Sequence, residues 1–179
     1  MFAATRVTRA LPVLSALLLL GTTLGSAAEL AGTSWNLTGN SKLKVRGSGR
    51  DRQLVGAVLT FNDAANCSLA INDQAGAPLA TIPCTWSSPS AESKRFDVDL
   101  DDAALNEALT TLVTDLTALP PGDVTVGVDT ERGRGTYNAN KQRINIDMKV
   151  KGSATSESQQ SEQRFNLKLK LKGDPVPVG

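Results

Sequence analysis

Residues 32–45 read GTSWNLTGNSKLKV. From Trp35 onward, small or apolar side chains recur at every second position, whereas Lys42 and Lys44 fall on the other parity. Because successive side chains of a β-strand point to opposite faces, this stretch predicts a strand with one apolar and one basic face. Gly39 lies in its middle, where a strongly curved strand needs space. The stretch therefore indicates the first strand of a curved, half-buried sheet.

The same alternation recurs along most of the chain. Apolar residues at period two predict further strands at residues 55–61, 67–71, 80–86, 96–100, 124–128, 136–137, 144–150 and 165–171. Polar turns separate most of these segments, so consecutive antiparallel pairing is the expected topology. The polar residues 153–163 predict a mobile loop before the last strand.

One segment departs from this period and predicts a helix between the fifth and sixth strands. Spacings of four and three give an apolar stripe formed by Leu105, Leu109, Leu112, Leu116 and Leu119. Asp101 and Asp102 suit its N-terminus, where carboxylates interact favourably with the helix dipole. The sequence PPG at 120–122 is typical of a helix end.

These elements predict a mainly β fold. The preferred architecture is an antiparallel up-and-down β-barrel, or a strongly curved half-barrel, of eight or nine strands with one inserted amphipathic helix. Closing a long, twisted sheet removes the exposed strand edges that favour aggregation. A β-sandwich is the second alternative. In the barrel, we expect the helix to bury its leucines against the apolar inner surface.

The N-terminal residues have the order of a secretory signal peptide. Arg6 and Arg9 precede an apolar run from Leu11 to Leu20, and small residues at 26–28 favour cleavage after residue 28. The apolar run is shorter than the roughly 20 residues of a membrane-spanning helix. We therefore predict a signal peptide at 1–28 and a periplasmic or secreted protein.

The rest of the chain predicts one domain at 29–173 and a disordered tail at 174–179. Cys67 and Cys84 both lie in the domain. If the third and fourth strands form a hairpin with its turn at 75–76, the two cysteines face each other directly across it. In an oxidising compartment this position predicts a structural disulfide.

The composition excludes several kinds of chemistry. The chain has no histidine, which excludes a Ser-His-Asp triad, a Cys-His pair and a histidine-ligated zinc site. The acidic run Asp97–Asp102 has the oxygen ligands that calcium prefers, but strand-exterior acids followed by a helix cap explain it more simply. We therefore expect no enzyme, no metal and no cofactor. The near balance of 19 basic and 18 acidic residues argues against a nucleic-acid partner.

Charge is nevertheless distributed unevenly. If the last strand closes beside the first, one outer wall carries Lys42, Lys44, Arg46, Lys149, Lys151, Lys168, Lys170 and Lys172. Residues 91–131 hold ten acids and two bases, a net charge of −8. Such a wall suits an anionic envelope component. The simpler explanation, which we favour from the sequence, is that lysines solubilise the outer strand faces and prevent edge pairing.

The two ends of the domain resemble a known family. Gly32-Thr33-Ser34-Trp35 before a long first strand resembles the glycine-x-tryptophan start of lipocalins, and Arg164 resembles the basic residue that packs over that tryptophan. This resemblance implies an eight-stranded cup for a small apolar molecule. One extra residue separates Gly32 from Trp35, and the helix lies mid-chain instead of after the last strand. The open half-barrel of periplasmic lipoprotein carriers, with its helical lid, is similar in outline.

The sequence thus favours an exported, non-enzymatic binding protein that shelters a lipid or other small apolar ligand between barrel and helix. The residues predicted to contact this ligand are Trp35, Leu105, Leu109, Leu112 and Leu116. The alternative is an envelope interaction or scaffold module, or an inhibitor, that uses the charged outer face. An enzyme ranks last, because no carboxylate pair stands out among the many acids.

Overall fold

The structure, a computed structural model, describes residues 26–72, 76–116 and 122–176, except for the side chains of residues 115 and 116. Eight antiparallel strands follow one another around a closed barrel, and the last strand pairs with the first. One helix lies between the fifth and sixth strands. The predicted fold class is therefore confirmed, and the barrel is closed.

The secondary structure elements have the following bounds. The strands are β1 (Ser34–Val45), β2 (Gly49–Phe61), β3 (Asn66–Asn72), β4 (Pro78–Ser87), β5 (Arg95–Leu100), β6 (Val124–Asn138), β7 (Arg143–Ser156) and β8 (Ser161–Pro175). The helix α1 spans Asp102–Leu116, and short 3₁₀ turns lie at Ala27–Leu30 and Ala139–Lys141. Within the described residues, no helix has both the length and the apolar character needed to span a bilayer.

Two strands that the sequence separates are one strand in the structure. The predicted strands at 124–128 and 136–137 are both part of β6, so the polar connection expected between them is strand. The register of β6 against β7 shifts between Val128 and Thr130, so a bulge absorbs the break in alternation. This continuity explains why the barrel has eight strands and not nine.

The predicted loop at 153–163 is wrong for most of its length. β7 continues to Ser156 and β8 begins at Ser161, which leaves four connecting residues. Ala154 and Ser156 are buried on the inner face of β7. Small and polar residues on both faces hid the alternation that marks a strand in the sequence.

The last strand also runs beyond its predicted end. β8 includes Asp174 and Pro175, and Pro175 lies opposite Trp35 of β1. The strand thus takes in the first residues of the predicted tail, because β1 offers it a pairing partner as far as residue 35. Residues 177–179 lie outside the described part of the chain.

The barrel wall is uneven. β6, β7, β8 and β1 pair over most of their length, whereas β5 pairs with β6 only from Arg95–Thr136 to Val98–Gly133. The helix that follows β5 packs mainly against β6 and β4. α1 therefore covers the part of the wall that the short β5 leaves open.

Aromatic rings fill one end of the interior, which we call the closed half. Its ring-bearing residues are Trp35, Phe61, Trp86, Phe96 and Tyr137, and all are buried. Phe61 makes edge-to-face contacts with Trp86 and Phe96 at centroid distances of 4.9 and 5.4 Å. This geometry is favourable for aromatic pairs beyond the area they bury.

The closed half is sealed from outside by the N-terminal turn. Ala27 and Leu30 are fully buried, and the Ala27 N–H donates a hydrogen bond to the Ser93 carbonyl at 2.7 Å. Most of the predicted signal peptide, residues 1–25, lies outside the described part of the chain. Cleavage after Ala28, as the sequence predicts, would remove the contact that Ala27 makes.

The disulfide forms as predicted. Cys67 and Cys84 lie directly opposite each other on β3 and β4, with their Cα atoms 4.8 Å apart. Both side chains are buried inside the barrel. The bond stands next to the aromatic layer and links strands that carry the aliphatic residues Leu69 and Ile82 further along.

Candidate ligand-binding cavity

An internal cavity of about 350 Å³ lies in the other end of the barrel, which we call the open half. Its size falls in the range of about 300–1,000 Å³ that is typical of small-molecule sites. Fifteen of its eighteen lining residues are apolar. The strands contribute Leu43, Val55, Leu69, Ile71, Leu79, Ile82, Leu100, Met148, Val150, Leu167 and Leu169.

Helix α1 forms one side of the cavity. Leu105, Ala108, Leu109 and Leu112 line it, and they lie on one face of the helix because their spacing is three or four residues. Leu105 and Leu109 are buried, while Leu112 is only partly so. Asp101 fixes the start of this helix: its carboxylate accepts a hydrogen bond from the Ala104 N–H at 2.9 Å.

The cavity reaches the surface beside β2 and β4. β3 pairs with β2 only from Gly56 onward, so the preceding part of β2 has no neighbour on that side among the described strands. Gln53 and Leu79 line the cavity there, and Leu79 is 53% exposed. The exposed Gln53 and Leu79 therefore mark the opening of the cavity between β2 and the described start of β4.

The polar lining is confined to this region. Ser41 and Gln53 lie opposite each other on β1 and β2, and Asp51, opposite Leu43, lies two residues further toward the β1–β2 turn. Asp51 is half-buried, whereas Gln53 is exposed. These groups can hydrogen-bond to the polar end of a ligand whose apolar part occupies the cavity.

The predicted ligand contacts fall into three groups. Leu105, Leu109 and Leu112 line the cavity together. The side chain of Leu116 lies outside the described residues, although its backbone is in α1. Trp35 is not a cavity residue: it lies in the closed half, 2% exposed.

Trp35 has a packing role instead. Its ring contacts Tyr137 edge-to-face at 5.8 Å, and its Nε1–H donates to the Thr33 hydroxyl at 2.8 Å. Arg164, which the lipocalin resemblance would place over this ring, lies opposite Ser153 at the other end of β8. That part of the resemblance is therefore wrong. Antiparallel pairing brings the end of β8, and not its beginning, to Trp35.

The strand residues of the cavity could not be identified from the sequence pattern. Their parity marks them as interior, but parity does not say how far along the barrel each one lies. Met148, Val150, Leu167 and Leu169 reach the cavity because β7 and β8 extend into the open half. Asp51 was not identified because it lies in a run of charged residues before the predicted start of the second strand at residue 55.

A half-buried carboxylate stands where helix α1 joins the barrel. Glu131 of β6 accepts a hydrogen bond from the Leu100 N–H at 3.0 Å, just past the last β5–β6 pair. Burial raises the pKa of Glu131 to about 7, and the neighbouring Asp99 and Asp102 add to this effect. The hydrogen bond from Leu100, which favours the ionised form and partly offsets this rise in pKa, links the end of β5 to β6.

A larger depression of about 770 Å³ lies on the outer wall across β1, β8, β7, β6 and β5. Four of its charged groups form ion pairs with one another: Lys170 with Asp147 at 3.8 Å, and Arg134 with Asp97 at 3.7 Å. It lacks the apolar enclosure of the internal cavity. We therefore treat the internal cavity as the candidate site.

The acidic run at the end of β5 is occupied by structural contacts. Asp97 pairs with Arg134, and Asp101 caps α1. Within the described residues, no group of three or more His, Cys, Asp or Glu side chains is arranged to hold a metal ion.

The fold defines the class of the protein: a closed eight-stranded antiparallel β-barrel with one helix, an architecture consistent with that of lipocalins. No known protein family matches the chain, and no match was found among curated proteins.

Proposed function

We propose that the protein is a non-enzymatic binding protein that shelters a lipid or other small apolar molecule between barrel and helix. The main observation in support of this proposal is the cavity of about 350 Å³, in which fifteen of the eighteen lining residues are apolar. An apolar guest in this space gains the hydrophobic free energy of leaving water. The architecture, which is compatible with a binding protein, supports the same proposal.

The cavity favours a compact or single-chain ligand. Its volume lies near the lower limit of the usual range for small-molecule sites. The polar residues Ser41, Asp51 and Gln53 stand together near the opening. An amphiphile would therefore place its apolar part under α1 and its polar group beside β1 and β2.

The disulfide supports the predicted periplasmic or secreted location. Such bonds persist in oxidising compartments and are rare in the cytosol. Cys67 and Cys84 are joined inside the barrel. A carrier in such a compartment would keep an apolar molecule away from water between two sites.

Binding of the apolar fluorophore N-phenyl-1-naphthylamine tests the proposal. Ala108→Phe puts a ring into the cavity, and we expect it to weaken fluorophore binding by about tenfold or more, since the space for the ligand is lost. Ala103→Phe is the matched control, because Ala103 is exposed on the same helix. Its affinity for the fluorophore is expected to equal that of the wild type.

Equal binding by both variants and the wild type would contradict the cavity as the site. Native mass spectrometry of the wild-type protein provides an independent measurement, and a co-purifying small apolar molecule is the expected result. If Ala108→Phe does not fold, a rise in the wild-type Tm on adding the fluorophore still decides the proposal.

A further inference from the structure

Five basic residues form a continuous row across five adjacent strands. Each is directly opposite the next in the strand register, and all five side chains are exposed on the outer face. In order from β2 through β1, β8 and β7 to β6, they are Arg52, Lys42, Lys168, Lys149 and Arg132. Neighbouring strands are about 4.8 Å apart, so these charges repel one another at short range.

A second, partial row runs beside the first toward the open half. Arg50 lies opposite Lys44, and Lys151 lies across β8 from Lys44, with Asn166 between them. We call these eight basic residues the cationic rows. They differ from the wall expected from the sequence because β2 and β6 add arginines that only the barrel register brings beside the lysines.

The cationic rows have no ion-pair partner in the described chain. Its four ion pairs join Arg134 to Asp97, Arg143 to Asp174, Arg164 to Glu162 and Lys170 to Asp147. Like charges directly opposite each other lower the stability of a sheet. Lysines that only solubilise a strand face do not need to be aligned in this way, so the alignment indicates an anionic partner.

The inner faces of the same strand segments line the cavity. Leu43 lies between Lys42 and Lys44, and Val150 lies between Lys149 and Lys151. The cationic rows are therefore on the outside of the open half. Net negative charge is concentrated instead on β5, α1 and their connections.

An exposed leucine, Leu54, accompanies these cations. Leu54 is 63% exposed on the same face of β2 as Arg50 and Arg52, and Leu79 is 53% exposed at the cavity opening. They are the two exposed large hydrophobic side chains in the part of the chain that the structure describes. Cations beside apolar side chains match a membrane interface, where headgroups carry charge and the acyl boundary accepts leucine.

We propose that the cationic rows dock the open half of the barrel on an anionic lipid surface, with Leu54 at the acyl boundary. A lipid surface fits better than a soluble polyanion, because a polyanion offers nothing to the exposed leucine. β2 and β6 lie on opposite sides of the closed barrel, so the central Lys42, Lys168 and Lys149 face the surface directly. The cavity opening beside β2 then lies at the edge of the contact, close to the membrane from which an apolar ligand would enter.

Co-sedimentation with vesicles tests the docking. Phosphatidylglycerol–phosphatidylcholine vesicles are compared with vesicles of phosphatidylcholine alone, using the full chain as the cell produces it. We expect binding only to the anionic vesicles, and weaker binding at higher salt because ions screen the attraction. Equal binding to both vesicles, or binding to neither, would overturn the proposal.

Charge-removing variants locate the surface. The row variant carries Lys42→Gln, Lys149→Gln and Lys168→Gln, and we expect it to bind anionic vesicles at least about tenfold more weakly. The matched control removes three exposed charges from the closed half, through Lys94→Gln, Arg95→Gln and Lys141→Gln. The control is expected to bind within about twofold of the wild type. Equal losses in the two variants would contradict a localised docking surface.

Two further measurements separate the alternatives. Leu54→Ser is expected to weaken vesicle binding while leaving all charges in place. If Leu54→Ser has no effect and soluble polyphosphate displaces the protein from vesicles, the surface binds polyanions and the lipid proposal is wrong. The row variant should fold at least as well as the wild type, since it relieves repulsion. Ala108→Phe should still bind vesicles, so a failure of the cavity proposal is distinguishable from a failure of docking.

Discussion

The interior of the closed half is filled by side chains, whereas the interior of the open half contains a cavity. In the closed half, five rings and the buried Leu30 occupy the interior. In the open half, aliphatic side chains line the cavity, Phe165 is the one buried ring among the described residues there, and α1 replaces part of the wall, yet about 350 Å³ stays unfilled. Large, flat rings can fill the axis of a small barrel, whereas leucines and valines reach inward less far. The difference indicates a stabilising half and a half suited to binding.

Truncating a ring in the closed half should have the largest effect on stability. Phe61 is fully buried between Trp86 and Phe96. Phe61→Ala is expected to lower the free energy of unfolding by about 3–5 kcal/mol. Leu112→Ala, at the partly exposed edge of the existing cavity, should cost less than about 2 kcal/mol. Urea unfolding measures both, and equal losses would remove the distinction between the halves.

The disulfide stands between the two halves, and its removal should rank next. Cys67 and Cys84 are 17 residues apart in the sequence. The double variant Cys67→Ala/Cys84→Ala is expected to lose about 3 kcal/mol, mainly because the unfolded chain gains freedom. Unfolding of the wild type in reducing agent is the control and should show a similar loss. If the midpoint of unfolding is unchanged in both, the disulfide does not stabilise this hairpin, and strand pairing alone is sufficient.

Adding a single methyl group should test how tightly the ring of Phe96 is packed in the closed half. A Cβ at Gly135 would overlap the ring of Phe96, whereas one at Gly127, on the same strand, would meet nothing within 4 Å. We expect Gly135→Ala to cost about 1–3 kcal/mol, because the added methyl group would displace the buried ring of Phe96. Gly127→Ala should leave stability almost unchanged. Thermal unfolding of the two variants checks this, and similar Tm values would mean that Phe96 can move aside.

The smallest effect is expected at the junction of the helix with the barrel. The pKa of Glu131 is raised from 4.5 to about 7, mainly by burial. Since the folded state then binds more protons than the unfolded state, stability should fall as pH rises from 4.5 to about 7. Glu131→Gln keeps an acceptor for the Leu100 N–H and should remove this fall, so the variant is the more stable protein above pH 7.

Urea unfolding from below pH 4.5 to above pH 7 measures the Glu131 effect. Glu107→Gln is the matched control, because Glu107 is exposed on α1. It should retain the slope of the wild type. If Glu131→Gln also retains that slope, Glu131 does not carry the pH dependence of the junction.

Much of the fold could be predicted from local pattern. Alternation identified every strand at least in part, the leucine spacing identified α1, and the turn position identified the Cys67–Cys84 pair. The failures came where alternation is interrupted by a bulge at Val128–Thr130, or masked by small residues at 153–156. Tertiary pairing continues a strand through such sites, because its neighbours supply hydrogen bonds that the local sequence does not reveal.

Only the helix residues of the candidate site could be predicted from the sequence. Leu105, Leu109 and Leu112 share one apolar face of the helix. This face must be buried, whichever part of the barrel it packs against. Trp35 was assigned to the ligand by resemblance, but its level along the barrel depends on where β8 ends. The opening near Gln53 depends on β3 being shorter than β2, which follows from the register and not from either sequence alone.

The amino-acid sequence by itself determined the strand faces, the helix face and the cysteine pairing, because each depends on contacts within one element or one hairpin. Only the tertiary structure decided barrel closure, the filled and unfilled halves, and the alignment of cations across five strands. These features depend on the register between strands distant in sequence, such as β8 against β1. A shift of that register would place different side chains at every level of the barrel, although no residue had changed.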